Sequence, residues 1–68
     1  MIISDFTELE LEYFRRMCNF VGDERVVFEF RSKGIPLERI AEYSNLSVDG
    51  VKKISRKVNK KITKIRHL

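Results

Sequence analysis

The chain has 68 residues and a formal net charge of +4, and 43% of its residues are hydrophobic. This length holds a single domain, expected over residues 1–68, and the apolar content is that of a folded protein rather than a disordered one. The longest apolar runs have three residues, and the N-terminus lacks the basic and apolar parts of a signal peptide. With Cys18 as its only cysteine, the protein is expected to be cytoplasmic and to have no membrane partner.

Charge is distributed unevenly along the chain. Residues 1–31 have seven acids and four bases, for a net −3, whereas residues 32–68 have three acids and ten bases, for a net +7. From Gly50 to Leu68 there are eight lysines or arginines and no acid. This one-sided basic charge predicts an anionic partner, and the alternative is a solvated helix face.

The first helix is predicted to begin after Thr7. Thr7 is a preferred N-cap residue, and Glu10 completes a capping box. Phe6 and Leu11 occupy the two positions of a hydrophobic staple. Apolar residues then recur at helical spacing, which predicts a buried stripe of Leu11, Phe14, Met17, Cys18 and Val21. No His or second Cys lies at ligand spacing from Cys18, so we expect neither a metal site nor a nucleophile there.

The second helix is predicted to follow Gly22, with Asp23 as its cap, and to run to about Ser32. Gly34 then supplies the left-handed residue that commonly ends a helix. The predicted inward side chains are those of Val26, Val27 and Phe30, with Phe28 on the flank.

The third helix is predicted to begin at Pro36, a preferred residue at the first helical position, and to end near Ser44. Its predicted inner face consists of Leu37, Ile40 and Ala41. Asn45 follows, and asparagine tolerates the left-handed conformation of a tight turn.

The fourth helix is predicted to be capped by Ser47 and to reach nearly to the C-terminus, a length of about 28 Å at 1.5 Å per residue. One apolar stripe continues along it, formed by Val51, Ile54, Val58, Ile62 and Ile65. Lysine and arginine occupy most of the remaining surface.

The segment from Leu37 to Ile54 has the spacing of a helix-turn-helix, in which two helices cross at a steep angle. The crossing needs a small residue, which is Ala41, and a residue that turns sharply, which is Asn45. Apolar residues must close the corner, and the candidates are Ile40, Leu46, Val51 and Ile54. The predicted fold class is therefore all-α, a four-helix helix-turn-helix domain with a long basic C-terminal recognition helix.

The residues Ile40-Ala41-Glu42, Leu46-Ser47 and Val51-Lys52 resemble the I-A-E-x-L-G-I-S-x-x-T-V-K pattern of helix-turn-helix regulators. The preceding stretch Val27–Gly34 is similar to the V-L-x-L-x-A-x-G helix of the four-helix group that includes sigma-factor region 4 and LuxR-type output domains. The resemblance covers residues 24–62. Three positions depart from the pattern: Ser44 replaces leucine, Asn45 replaces glycine, and Gly50 replaces threonine or serine.

The resemblance implies a role for individual residues in binding double-stranded DNA. Those expected to contact base edges in the major groove are Asp49, Gly50, Lys52, Lys53 and Arg56. Those expected to contact phosphate are Pro36, Leu37, Ser47, Lys57 and Lys60. For Asp49 the alternative is stabilisation of the helix N-terminus. For Gly50, close approach to the DNA backbone and an incidental glycine are equal alternatives.

These observations predict a small transcriptional regulator that binds a specific DNA sequence, and they predict no enzymatic activity, no cofactor and no metal. The single histidine, His67, is next to last, and no phosphate loop or nucleophile motif is present. A basic amphipathic helix lying on a membrane is an alternative for Lys52 to Leu68, but packing against the other helices explains its stripe more simply.

The main alternative function is that of a protein-interaction module. A domain like sigma region 4 can bind RNA polymerase, and phages and mobile elements encode such small domains. The surface for that partner would be acidic, formed by Glu8, Glu10, Glu12, Asp23 and Glu24, although these acids can also stabilise helix N-termini. A homodimer on DNA is also expected, paired through the far end of the last helix at Ile62, Ile65 and Leu68.

Overall fold

The computed structural model describes residues 2–66, and these form four α-helices and one short 3-10 helix, with no β-strand in that stretch. In chain order the elements are the 3-10 helix Ile3–Asp5, α1 Glu8–Met17, α2 Asp23–Ser32, α3 Leu37–Ser44 and α4 Val48–Arg66. The predicted all-α class and the number of long helices are confirmed. No helix in residues 2–66 combines the length and the apolar character needed to cross a bilayer.

The predicted capping box at the start of α1 is present. The backbone N–H of Glu10 donates to Thr7 Oγ1 at 3.2 Å, and the backbone N–H of Thr7 donates to Glu10 Oε1 at 2.9 Å. Two of the N–H groups at the start of the helix are thereby satisfied by residues only three positions apart. The cap of α4 is confirmed as well, because Gly50 N–H donates to Ser47 Oγ at 3.0 Å.

The predicted cap of α2 is wrong. Asp23 is the first residue of the helix, and no side chain caps the helix at Gly22, which has a φ of 54°. Glu24 instead reaches back to accept a hydrogen bond from Val21 N–H at 3.3 Å. The carboxylate of Glu24, one residue after Asp23, therefore satisfies the backbone N–H of Val21 just before the helix. At the other end of α2, Gly34 has a φ of 77°, as predicted.

Helix α3 begins one residue later than predicted. Pro36 lies outside the helix in an extended conformation, with φ −70° and ψ 158°, so Leu37 is the first helical residue. The predicted left-handed turn after α3 is confirmed, because Asn45 has φ 58° and ψ 35°. Leu46 N–H then donates to Ala41 O at 3.1 Å, which fixes the direction of the chain into α4.

Helix α4 packs against all three of the other helices, and α2 and α3 also touch each other. Its buried face thus supplies the centre of the core. Within residues 2–66 the buried apolar residues are Ile3, Leu11, Phe14, Cys18, Phe20, Val27, Phe28, Ile40, Ala41, Val51, Val58 and Ile62. The aromatic pair of Phe20 and Phe28, with ring centroids 4.7 Å apart, closes the core beside the α1–α2 loop.

Four predictions about buried residues are wrong. Met17 and Val21 are 49% and 57% exposed, because α1 ends at Met17 and only Cys18 continues its buried line. On α2, Val26 is exposed and Phe28 is completely buried, so the inward face is rotated from the predicted one toward Val27 and Phe28. The rotation follows from Phe20, which the loop folds inward against Phe28.

The prediction that Ile62 extends past the core and pairs with a second copy is also wrong. Ile62 has no exposed surface, and Ile65 is half-buried against the same core. Leu68 lies outside the described residues. Helix α1 packs on α4, and the guanidinium carbon of Arg66 lies 5.2 Å from the centre of the Phe6 ring, so this part of α4 is covered within the monomer.

Replacing Ala41 with leucine should destabilise the protein by about 1–3 kcal/mol, because Ala41 is only 6% exposed and the packed core has no space for a longer side chain. Urea unfolding of the purified variant measures this loss. The control is Glu42→Leu, which adds an apolar side chain at the neighbouring exposed position and should leave the unfolding free energy nearly unchanged. Equal stability of the wild type and Ala41→Leu would mean that Ala41 does not lie at a close contact.

Candidate nucleic-acid interface

The side of α4 opposite its buried stripe forms a continuous basic surface. Successive residues turn by about 100°, so burial of Val51, Val58 and Ile62 directs the intervening side chains outward. The exposed cations of this surface, called the basic face below, are Lys52, Lys53, Arg56, Lys57, Lys60 and Lys64. None of the six forms a salt bridge within residues 2–66. Their charge faces solvent, although Asp49 lies on the same side of α4 and the charge of Lys57 acts on Glu24.

The residues predicted to contact bases are placed unequally. Asp49, Lys52, Lys53 and Arg56 are exposed in the first three turns of α4. Gly50 is half-buried, and a Cβ atom added to it would lie 3.2 Å from Ser47 Oγ. Its N–H group is also taken by the cap, so Gly50 belongs to the capping structure at least as much as to the outer surface.

The residues predicted to contact phosphate lie at the starts of two helices and along the basic face. Pro36 and Ser47 are exposed, and Leu37 is half-buried. No side chain caps α3, which leaves the first N–H groups of that helix without an intrahelical acceptor. The hydroxyl oxygen of Ser47 already accepts from Gly50 N–H. Lys57 and Lys60 are exposed on the basic face, as predicted.

Lys61 is directed away from this surface and into the fold. Its ammonium group contacts the carboxylate of Glu24 and donates to the carbonyl oxygen of Asn19 at 2.6 Å. The hydrogen bond from Lys61 lowers the pKa of Glu24 below its ordinary value of 4.5, against the opposing effect of burial. Lys61 therefore joins α4 to the α1–α2 loop and to the start of α2.

Several acids of the first half also have partners within the fold. Arg15 binds Glu29 through two hydrogen bonds, with Nε to Oε2 at 2.7 Å and Nη2 to Oε1 at 3.0 Å, and this contact raises the pKa of Arg15. Arg15 also pairs with Glu12 at 3.2 Å. Glu10 is held in its capping box, and Glu24 by Lys61. Of the five acids named for a protein partner, Glu12 and Glu24 thus form ion pairs within the fold, and Glu10 serves as a cap.

Ser44, which replaces the leucine of the regulator pattern, lies in the corner between α3 and α4. The hydroxyl oxygen of Ser44 is buried and has no hydrogen-bond partner within residues 2–66. A leucine there would bury apolar surface in place of an unsatisfied polar atom. The corner is therefore packed less well than the pattern allows.

Nothing in residues 2–66 forms a group of His, Cys, Asp and Glu that could hold a metal ion. Cys18 lies in the core, where burial raises the pKa of its thiol, and a buried thiol of this kind is inert. His67 lies outside the described residues. The chain matches no protein-family model, no curated protein and no solved structure.

Replacing Glu24 with glutamine should lower the unfolding free energy by about 1 kcal/mol at neutral pH, because the partly buried pair with Lys61 is lost. The lowered pKa of Glu24 means that its contribution is complete above the ordinary value of 4.5 and disappears as the pH falls through the folded-state value. Denaturant unfolding at several pH values should therefore show the wild type and Glu24→Gln converging in acid.

The matched control is Glu42→Gln, at an exposed acid that forms no salt bridge within residues 2–66. This variant should follow the wild type at every pH. A gap between the wild type and Glu24→Gln that stayed constant from neutral to acid pH would contradict an ionic role for Glu24.

Proposed function

We propose that the chain is a helix-turn-helix protein that binds double-stranded DNA, with α4 as the recognition helix. The observation that carries the proposal is the basic face, where six exposed cations lie on one side of one helix with no salt bridge to an acid in residues 2–66. DNA carries a regular array of negative charges, and neutralising phosphates with lysine and arginine releases bound counterions.

The connection between α3 and α4 supports this class of protein. The two helices contact each other and are separated by three residues, of which Asn45 is left-handed and Ser47 caps the second helix. Ala41 and Val51 are buried on the two sides of the turn. A turn of this length with buried residues on both sides is the arrangement that presents the second helix to a major groove.

In this proposal α4 is divided by function along its length. Recognition helices contact base edges mainly through their first turns, where Lys52, Lys53 and Arg56 are exposed. Arginine and lysine pair with the O6 and N7 atoms of guanine. Lys57, Lys60 and the start of α3 at Pro36 and Leu37 contact phosphate. Asp49 accepts a hydrogen bond from cytosine or stabilises the start of the helix.

The particular function that we propose is that of a small transcriptional regulator specific for one DNA sequence. The proposal assigns the chain a binding role rather than an enzymatic one, because the observation that carries it is a row of exposed cations on one convex helix face. Selection of bound sequences from a random duplex library would test it directly. A recovered motif supports sequence-specific binding, whereas recovery of unselected sequence contradicts it.

Binding to DNA should depend steeply on salt. If the basic face neutralises roughly four to six phosphates, raising the salt from about 50 to 200 mM should weaken binding by roughly two to three orders of magnitude. Fluorescence anisotropy with a labelled duplex of mixed sequence measures this slope. Absence of binding at low salt would contradict the proposal.

The cations of α4 should differ in their contribution to specificity. Arg56→Ala and Lys53→Ala should each weaken binding to the selected sequence by about 1–3 kcal/mol and binding to random DNA by much less. Lys60→Ala, on the same face but beyond the first turns, should weaken both alike and reduce the salt slope by about one unit. Titrations of each variant on both duplexes make the comparison. If Arg56→Ala and Lys53→Ala lost equal affinity for the two duplexes, α4 would bind DNA only through non-specific electrostatic attraction.

A further inference from the structure

The outward side of α1 has an apolar stripe that the other residues of the range 2–66 leave half-exposed or more. Leu9, Tyr13 and Met17 follow one another at intervals of four residues, so their side chains lie along one line of the helix. They are 85%, 49% and 49% exposed, whereas the opposite side of α1 buries Leu11 and Phe14 in the core. A contiguous exposed apolar stripe on a small domain is typical of a protein-interaction surface.

Charged side chains border one edge of this stripe in a defined order. At about 100° per residue, Glu8, Glu12 and Arg16 fall on the same edge. The acids lie in the N-terminal half of the helix and the arginine in the C-terminal half. Beyond Arg16 there is a cleft of about 360 Å³ between the end of α1 and α2, also lined by Arg25 and by Arg15, which pairs there with Glu29. The edge is therefore acidic at one end and basic at the other.

This order of charges is self-complementary in one alignment only. When two copies of α1 pack antiparallel about a twofold axis at Tyr13, Leu9 faces Met17 of the second copy, since both lie about 6 Å from the axis at 1.5 Å per residue. The charged edge of one α1 then lies against the same edge of the second copy. Measured along the helix axis, Arg16 lies between Glu8 and Glu12 of that copy. In a parallel alignment opposite edges meet instead, so Glu8 and Glu12 would lie at the level of Glu10 of the second copy, which is another acid.

We propose that the outward side of α1 is the surface through which two copies of this chain pair, with their α1 helices antiparallel. The pairing buries the apolar stripe and directs the acids of one copy toward the basic cleft of the other. Helix α1 contacts α4 through its inward side, and the stripe approaches the basic face where Met17 and Lys64 line one cleft, about 12 Å along α4 from Arg56. The proposal does not depend on DNA binding and can be tested without DNA.

The dimer formed in this way is weak. The stripe extends over only about two and a half helical turns, and stable interfaces bury roughly 1,200–2,000 Å². We expect dimerisation in roughly the 10–500 µM range. Sedimentation equilibrium of the complete chain from about 5 µM to 1 mM covers that range and measures the mass directly.

The first test compares two identical substitutions. Tyr13→Glu places a charge at the centre of the stripe and should keep the protein monomeric at every concentration. Tyr43→Glu makes the same change on α3, at a side chain 73% exposed, and should dimerise like the wild type. Thermal melts verify that both variants fold. A wild type that stays monomeric throughout, or an equal effect of the two substitutions, overturns the proposal, and a monomer would leave the stripe to a different protein.

The second test examines the alignment. Arg16→Glu should weaken dimerisation about tenfold or more, because the new carboxylate faces two acids of the second copy. Adding Glu12→Arg to this variant restores one opposite-charge pair across the twofold axis and should recover at least half of the loss on a logarithmic scale. A double variant as weak as Arg16→Glu alone overturns the antiparallel alignment.

Discussion

Burial of one side of α4 is the constraint on which the rest of this structure depends. Val51, Val58 and Ile62 are completely buried along about three turns of a single helix, and α1, α2 and α3 each pack on that helix. A small domain has little other apolar surface from which to build a core. Since the helix turns regularly, fixing its inward side also fixes the direction of every lysine and arginine on the outward side. The core and the proposed DNA interface are consequently two sides of one element.

The balance of charge is decided by which cations the fold uses. Lys61 and Arg66 belong to the same basic segment as the other six, yet Lys61 contacts Glu24 and Asn19, and Arg66 lies over the ring of Phe6. Both hold α4 to earlier parts of the chain. The cations that remain on the basic face are those whose position on the helix takes them out of reach of these partners. The cations that hold the fold together and those of the basic face are thus separated by helical phase rather than by residue type.

Two exposed surfaces of different chemistry result from this packing. One is the basic face of α4, and the other is the apolar stripe of α1 with its acidic and basic ends. Each lies on the side of its helix that is turned away from the core. A regulator that reads DNA as a pair needs one surface for the nucleic acid and another for its copy, and these must not overlap. The proposed functions of the two helices meet that requirement.

Features that depend on residues a few positions apart could be predicted from the sequence. The Thr7–Glu10 capping box, the Ser47 cap, the left-handed Asn45 and the apolar period of α4 are of this kind, because their partners lie within one or two helical turns. Part of the candidate site could be predicted in the same way, because the spacing of the apolar residues of α4 places Lys53 and Arg56 on its exposed side. Even the errors at Asp23 and Pro36 were shifts of a single residue.

Only the tertiary structure decided the features that join distant parts of the chain. Phe20 lies in a loop without periodicity, and its burial against Phe28 is what turns α2 away from the predicted face. The contact of Lys61 with Glu24 spans 37 residues, so no local pattern distinguishes Lys61 from its basic neighbours. Ile62 became part of the core, and Met17 part of the surface, because the packing of α1 on α4 determines which apolar side chains are covered. Periodicity shows that a helix has an apolar side, but the fold determines how much of that side is buried against other helices.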